Sequence, residues 1–78
     1  MAFKDLIATL AEALVDDPSA VEVEEIESGD GCIVELKVAP EDIGKVIGKD
    51  GRTAQSMRVL LTAAATKAGR RAHLDILD

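Results

Sequence analysis

Aromatic residues are almost missing from this 78-residue chain: Phe3 is the only one, and there is no Trp or Tyr. That excludes an aromatic cage and makes stacking of bases on a ring a poor way for the chain to hold nucleic acid. The single cysteine, Cys32, permits neither an internal disulfide nor a cysteine-rich metal cluster, and it fits a reducing compartment. No apolar run reaches signal or membrane-spanning length, so the expectation is a cytoplasmic protein that does not engage a membrane. Overall positive charge is lacking too. Nine Lys and Arg stand against fifteen Asp and Glu, for a net charge of -6. Nonspecific polyanion binding by bulk charge is thereby excluded, but a local basic site is not. The one histidine, His73, has Asp75 two residues on, but no nucleophile or second carboxylate is placed to complete a catalytic set. His73 reads as a surface residue, and the chain as no enzyme, with no metal and no cofactor.

Apolar residues, at 47%, are ordinary for a globular domain. The length allows one small domain, residues 1–78, which buries only about three-fifths of the surface its unfolded chain exposes. Charge is unevenly spread along it. Residues 1–44 carry Lys4 and Lys37 against twelve acidic residues, a net of -10. Residues 45–71 carry seven cations against Asp50 alone, a net of +6. This pattern suits a positive face for an anionic ligand on a body that repels polyanions elsewhere.

From Phe3 to Val15 the apolar residues Phe3, Leu6, Ile7, Leu10 and Leu14 share one stripe, predicting an amphipathic helix that stops at Asp16-Asp17-Pro18. Val21 and Val23 alternate with Glu22 and Glu24 until Glu25-Ile26 breaks the phase, which predicts a strand with a bulge or an early end. After the turn Ser28-Gly29-Asp30-Gly31, the residues Cys32, Val34, Leu36 and Val38 share a face, so a second strand and an antiparallel hairpin with a loop longer than two residues are expected. Cys32 should be a packed thiol. A short helix begins at Pro40 and ends at Gly48, with Ile43, Val46 and Ile47 packing inward. A long helix follows Gly51 and runs to Ala68, with Ala54, Met57, Leu60, Leu61, Ala64 and Ala68 on its core arc and Gly69 as its stop. Ala72, Leu74 and Ile76 alternate with Arg71, His73 and Asp75 in a last strand. The fold class is α+β, in the order α-β-β-α-α-β: a three-stranded sheet packed on one face by three helices.

The sharpest feature is Val46-Ile47-Gly48-Lys49-Asp50-Gly51-Arg52. It joins two helices, so it is neither a dinucleotide-binding fingerprint nor a P-loop, both of which need a preceding strand. Gly48 can supply the positive φ of a sharp reversal, and Gly51 lets a ligand approach and exposes the first amides of the long helix. Lys49 and Arg52 flank this anion site, with Lys45 one turn upstream. A phosphate backbone passing over the loop would leave bases against Ile43, Val46 and Ile47. The plainer reading of the segment is a tight helix-turn-helix reversal with incidental surface lysines.

The stretch from Val38 to Ala54, with Ala39-Pro40-Glu41-Asp42 leading into Val46-Ile47-Gly48-Lys49-Asp50-Gly51-Arg52, resembles the core of a KH domain of type II arrangement. Over essentially its whole length the chain resembles the small stand-alone bacterial KH-domain RNA-binding proteins of the KhpA family. The resemblance implies binding of single-stranded RNA, with Gly48-Lys49-Asp50-Gly51 on the sugar-phosphate backbone and about four nucleotides in an apolar groove. It also implies post-transcriptional regulation or RNA chaperoning linked to cell shape and division. Self-association as a homodimer is implied too, and pairing with a Jag-type KH-containing RNA-binding protein.

Three features qualify that expectation. Asp50 puts a negative charge inside the clamp and should weaken binding unless it turns away to hold Lys49 or Arg52. Arg70 and Arg71 carry two readings: they suit the negative end of the long helix, and they extend the phosphate path. Val59 and Ala63 lie opposite the core arc beside Ser56 and Thr66, a small smooth strip suited to a dimer contact. That strip supports the alternative function, a protein-interaction subunit with little RNA affinity of its own.

Overall fold

The computed structural model describes residues 2–78. Helix α1 spans Phe3–Leu14, strand β1 Glu22–Ser28, strand β2 Gly31–Lys37, helix α2 Ile43–Ile47, helix α3 Arg52–Lys67 and strand β3 Arg71–Ile76. Short 3-10 turns at Pro18–Ala20, Pro40–Asp42 and Lys49–Gly51 join them. The order is the α-β-β-α-α-β expected of a type II KH domain.

The sheet runs β1-β2-β3, with β1 antiparallel and β3 parallel to the central β2. A parallel pair cannot be joined by a tight turn, so the chain crosses over through α2 and α3 before β3 is laid down. The strands alternate as expected. Cys32, Val34, Leu36, Ala72, Leu74 and Ile76 face the helices and join the core, while Glu22, Glu24, Lys37, His73 and Asp75 are exposed on the other side. Ile7, Val34, Leu36, Val46, Leu61 and Leu74 are completely enclosed where α1 and α3 lie on the sheet.

Five sequence expectations are corrected. Strand β1 has no bulge and no early end: its register with β2 is unbroken from Glu22 opposite Lys37 to Ser28 opposite Gly31, and the hairpin loop is only Gly29-Asp30. The phase break at Glu25-Ile26 has another cause. Glu25 points to the helix side, where its Oε1 accepts the Lys4 N–H at 3.0 Å and caps the start of α1. Ala2 at that N-cap has no acceptor of its own. Ile26 is thereby turned to the helix-free face at 42% exposure.

The buried ridge of α1 is Phe3, Ile7 and Ala11, continued by Val15, and Leu14 is exposed. On α3, Ala65 takes the core place assigned to Leu60, which is 48% exposed, and Ala68 is exposed as well. In both helices an alanine faces the core because the small residue lets the helix approach closely, and the larger leucine is displaced to the flank. The short helix is also divided. Asp42 donates its N–H to Ala39 O at 2.8 Å in a 3-10 turn before α2 proper begins at Ile43.

Candidate nucleic-acid interface

Helix α2 stops at Gly48, whose backbone takes φ 78° and ψ 174°. A β-carbon there would lie 2.2 Å from Thr53 Oγ1 and 2.8 Å from the Thr53 amide nitrogen, so position 48 excludes every side chain on both conformational and steric grounds. The next three residues form a tight reversal in which Asp50 (φ 58°, ψ 24°) and Gly51 (φ 74°, ψ 13°) are both left-handed. Aspartate tolerates that region better than most residues, which explains how a non-glycine can stand inside so short a reversal. A β-carbon at Gly51 would meet nothing within 4 Å, so the loop is bare on that side.

The sequence suggests that the first amides of α3 are unpaired, and the structure corrects this, because two amides at its mouth already have acceptors. Gly51 donates its N–H to Gly48 O at 3.2 Å, and Arg52 donates to Lys49 O. What the loop turns outward are the side chains of Lys49, Asp50 and Arg52, all exposed. Among the described residues none of the three forms an ion pair, so Asp50 does not hold Lys49 or Arg52.

The other predicted cations have different positions. Lys45 turns toward the acidic half: its Nζ lies 3.2 Å from Asp16 Oδ2 and 3.6 Å from Asp42 Oδ1. Asp42 is 1% exposed, and its Oδ2 accepts the Asp17 N–H at 3.0 Å. Among the described residues its Oδ1 has no hydrogen bond, so Lys45 supplies the compensation that a buried charge requires. Burial alone would push the Asp42 carboxyl up, but the amides of Asp17 and Asp16 together with Lys45 hold it below the usual carboxylate range. The Lys45 ammonium is raised, first by its hydrogen bond to Asp16 and the charge of that carboxylate. This cluster fastens the end of α1 to the start of α2 and so orients the helix that delivers the loop.

Arg70 is occupied as well. Its Nη2 donates to Glu27 Oε1 and, at 3.2 Å, to Gly31 O, and the guanidinium sits 5.6 Å from the centre of the Phe3 ring. It braces the α3–β3 turn against the hairpin and uses the only aromatic ring for a cation–π contact. Arg71 opens β3 opposite Gly31, in phase with His73 and Asp75 and so on the helix-free face. The structure therefore groups Lys49, Asp50 and Arg52 at the loop and sends Lys45, Arg70 and Arg71 elsewhere.

The apolar candidates divide in the same way. Ile43 and Ile47 are half-buried on α2 and keep surface available, whereas Val46 is fully enclosed and supports the helix from beneath. Sequence reasoning overlooked Gly44. It is exposed in mid-helix one turn before Gly48, and a β-carbon there would meet nothing within 4 Å. Glycine inside a helix costs roughly 0.5–1 kcal/mol relative to alanine, which was the signal that could have marked it. At Gly44 and at Gly51 alike, a side chain would meet open space.

A family profile described as "KhpA/KhpB, KH domain" matches residues 4–76. The chain belongs to this KH-domain family. It is 56% identical to the RNA-binding protein KhpA of Caldanaerobacter subterraneus subsp. tengcongensis, over 94% of this chain and 97% of that one. It is also 46% identical to RNA-binding protein KhpA of Aquifex aeolicus, over 99% and 98% of the two chains. KhpA-family KH domains are non-catalytic. Among solved structures, Aquifex aeolicus Era Y63A bound to GDP.AlF4- superimposes with a TM-score of 0.63 at 20% identity. The match covers 95% of this chain and 29% of Era, and it shows a shared fold.

The strip proposed for a dimer contact is on the surface. Ser56, Val59, Ala63 and Thr66 are all exposed, Val59 at 57%, and Leu60 joins them once it is placed outside the core. No helix among the described residues is long and apolar enough to cross a membrane.

Proposed function

We propose that this chain is a cytoplasmic RNA-binding module whose Gly48–Arg52 reversal grips the sugar-phosphate backbone of single-stranded RNA. The observation that carries this reading is the pairing of a blocked glycine with a bare one. Thr53 forces the turn at Gly48, while Gly51 stays open between the side chains of Lys49 and Arg52, which form no ion pair among the described residues. Phosphates meet the two cations, and bases lie along Ile43 and Ile47 where Gly44 lets the strand come close. Membership in a family whose relatives are named RNA-binding proteins supports the same assignment. Few phosphate contacts and no stacking ring make a lone module a weak binder, in the micromolar range or above by order of magnitude, so avidity through a second module is part of the function.

That second module is another copy or a Jag-type KH partner, packed on Ser56, Val59, Leu60 and Ala63 of α3. The cellular role is post-transcriptional regulation or RNA chaperoning tied to cell shape and division.

Fluorescence anisotropy with a labelled short single-stranded RNA at low salt tests the site. Lys49→Glu with Arg52→Glu should weaken binding by more than about ten-fold and flatten its salt dependence. The thermal midpoint should stay within about 2 °C, because among the described residues neither side chain forms an ion pair. Unchanged affinity in that double variant overturns the RNA reading. Loss of every activity in Val59→Glu with the loop variant unaffected would favour the interaction-subunit alternative.

A further inference from the structure

Among the described residues all three helices cover one side of the sheet, and the other side has no layer on it. The strand register sets its side chains in rows. Glu24 lies opposite Glu35, and Glu35 opposite Asp75, so three carboxylates stand abreast across three strands. In the antiparallel β1–β2 pair the directly opposed Glu24 and Glu35 have β-carbons only about 4.5–5.5 Å apart, and like charges there destabilise the sheet. Among the described residues none of the three is held by an ion pair. The next row along the strands is Ile26, Ile33 and His73, an isoleucine pair in cross-strand contact on a face that should be polar throughout. Beside the carboxylates lies a shallow depression of about 230 Å³ lined by Glu22, Glu24, Glu35, Lys37 and Leu77.

We propose that this helix-free face docks a basic amphipathic segment of a partner protein, with Lys or Arg on the Glu24–Glu35–Asp75 row and an apolar side chain on Ile26 and Ile33. The two rows are separated by two residues along the strand, about 7 Å. That separation equals one turn of a partner helix to within about 1–2 Å, so a cation and an apolar residue at i and i+4 meet both rows at once. Charge complementarity selects the occupant. The face carries Glu22, Glu24, Glu35 and Asp75 against Lys37 and Arg71, so its charge is net acidic, disfavours phosphate and favours ammonium or guanidinium groups. Among the described residues no trio of acidic, histidine or cysteine side chains converges to hold a metal ion. The face is on the side of the sheet away from α2 and α3, so occupancy there leaves the Gly48–Arg52 loop accessible. The inference does not rest on the RNA assignment.

The test is a nuclear magnetic resonance titration of the full chain with a 14-residue lysine–leucine amphipathic helix peptide. Signals of residues 22–26, 33–37 and 73–77 should move. A Glu24→Gln, Glu35→Gln, Asp75→Asn variant should bind the peptide about ten-fold more weakly. A charge-matched control, Glu12→Gln, Glu41→Gln, Asp78→Asn, should stay within about two-fold of the parent, because those carboxylates lie outside the face. The face variant should also melt no lower than the parent, since it removes a like-charge row. Equal weakening in both variants would show attraction to bulk charge and overturn the proposal. Movement confined to other residues, no movement at all, or a lower melting point in the face variant would overturn it as well.

Discussion

The loop between α2 and α3 and the hairpin of β1 and β2 are built on opposite terms. In the loop, backbone geometry is tightly constrained and the charged side chains are free. Gly48 is pinned by Thr53 while Lys49, Asp50 and Arg52 have no ion-pair partner among the described residues. In the hairpin the backbone is an ordinary ladder, and several side chains serve as fasteners: Glu25 caps α1 and Glu27 anchors Arg70. Where the two charge territories meet they neutralise each other, Lys45 against Asp16 and Asp42, and Arg70 against Glu27. Counting cations along the chain therefore overstates the site. Of the seven in residues 45–71, two are struts, and the loop retains Lys49 and Arg52.

The strongest way to break this contrast is at the glycines. Gly48→Ala collides with Thr53 and should destabilise the domain by roughly 2–4 kcal/mol in urea unfolding, with loss of RNA binding. Gly51→Ala has the same unfavourable sign of φ but open space around it. Its cost should be only about 1 kcal/mol. Equal effects at the two positions would mean that the Thr53 contact does not govern the turn.

The boundary between territories is tested next, by pH. The lowered Asp42 carboxyl contributes stability that is fully present above its ordinary value of 3.8 and is lost as pH falls through the lower folded value. The raised Lys45 ammonium contributes stability that is fully present below its ordinary value of 10.5 and is lost as pH rises through its folded value. Asp42→Asn should lower the melting point near neutrality by roughly 10 °C and flatten its decline below about pH 4, as read by circular dichroism melts. An acid limb as steep as the parent's would assign that limb to other carboxylates.

The smallest expected effect sharpens the loop side. Asp50→Asn keeps the left-handed backbone accessible and removes the one negative charge from the reversal. RNA affinity should rise about two- to five-fold at low salt, and the gain should shrink as salt is added. No gain in anisotropy titrations would mean that Asp50 points away from the strand.

Much of this was legible beforehand because it rests on local chemistry. Pro18, Gly48 and Gly69 mark helix ends through a missing donor or a tolerated positive φ, and the alternation in β2 and β3 assigns their faces. The readings that failed depend on contacts between distant segments. A helical wheel ranks Leu60 above Ala65 by hydrophobicity, but the distance between α3 and the sheet makes the smaller residue the buried one. Glu25 looked like a flaw in a strand because its partner, the Lys4 amide, is twenty-one residues earlier.

The amino-acid order alone thus determined the sequence of elements, the inward face of β2 and β3 and the position of the reversal, since propensity, periodicity and turn chemistry act between near neighbours. Tertiary structure decided which charges are available. Arg70 meets Glu27 across forty-three residues, and Asp42 meets the Asp17 amide across twenty-five. Electrostatic pairing falls off with distance through space, and the fold alone sets those distances.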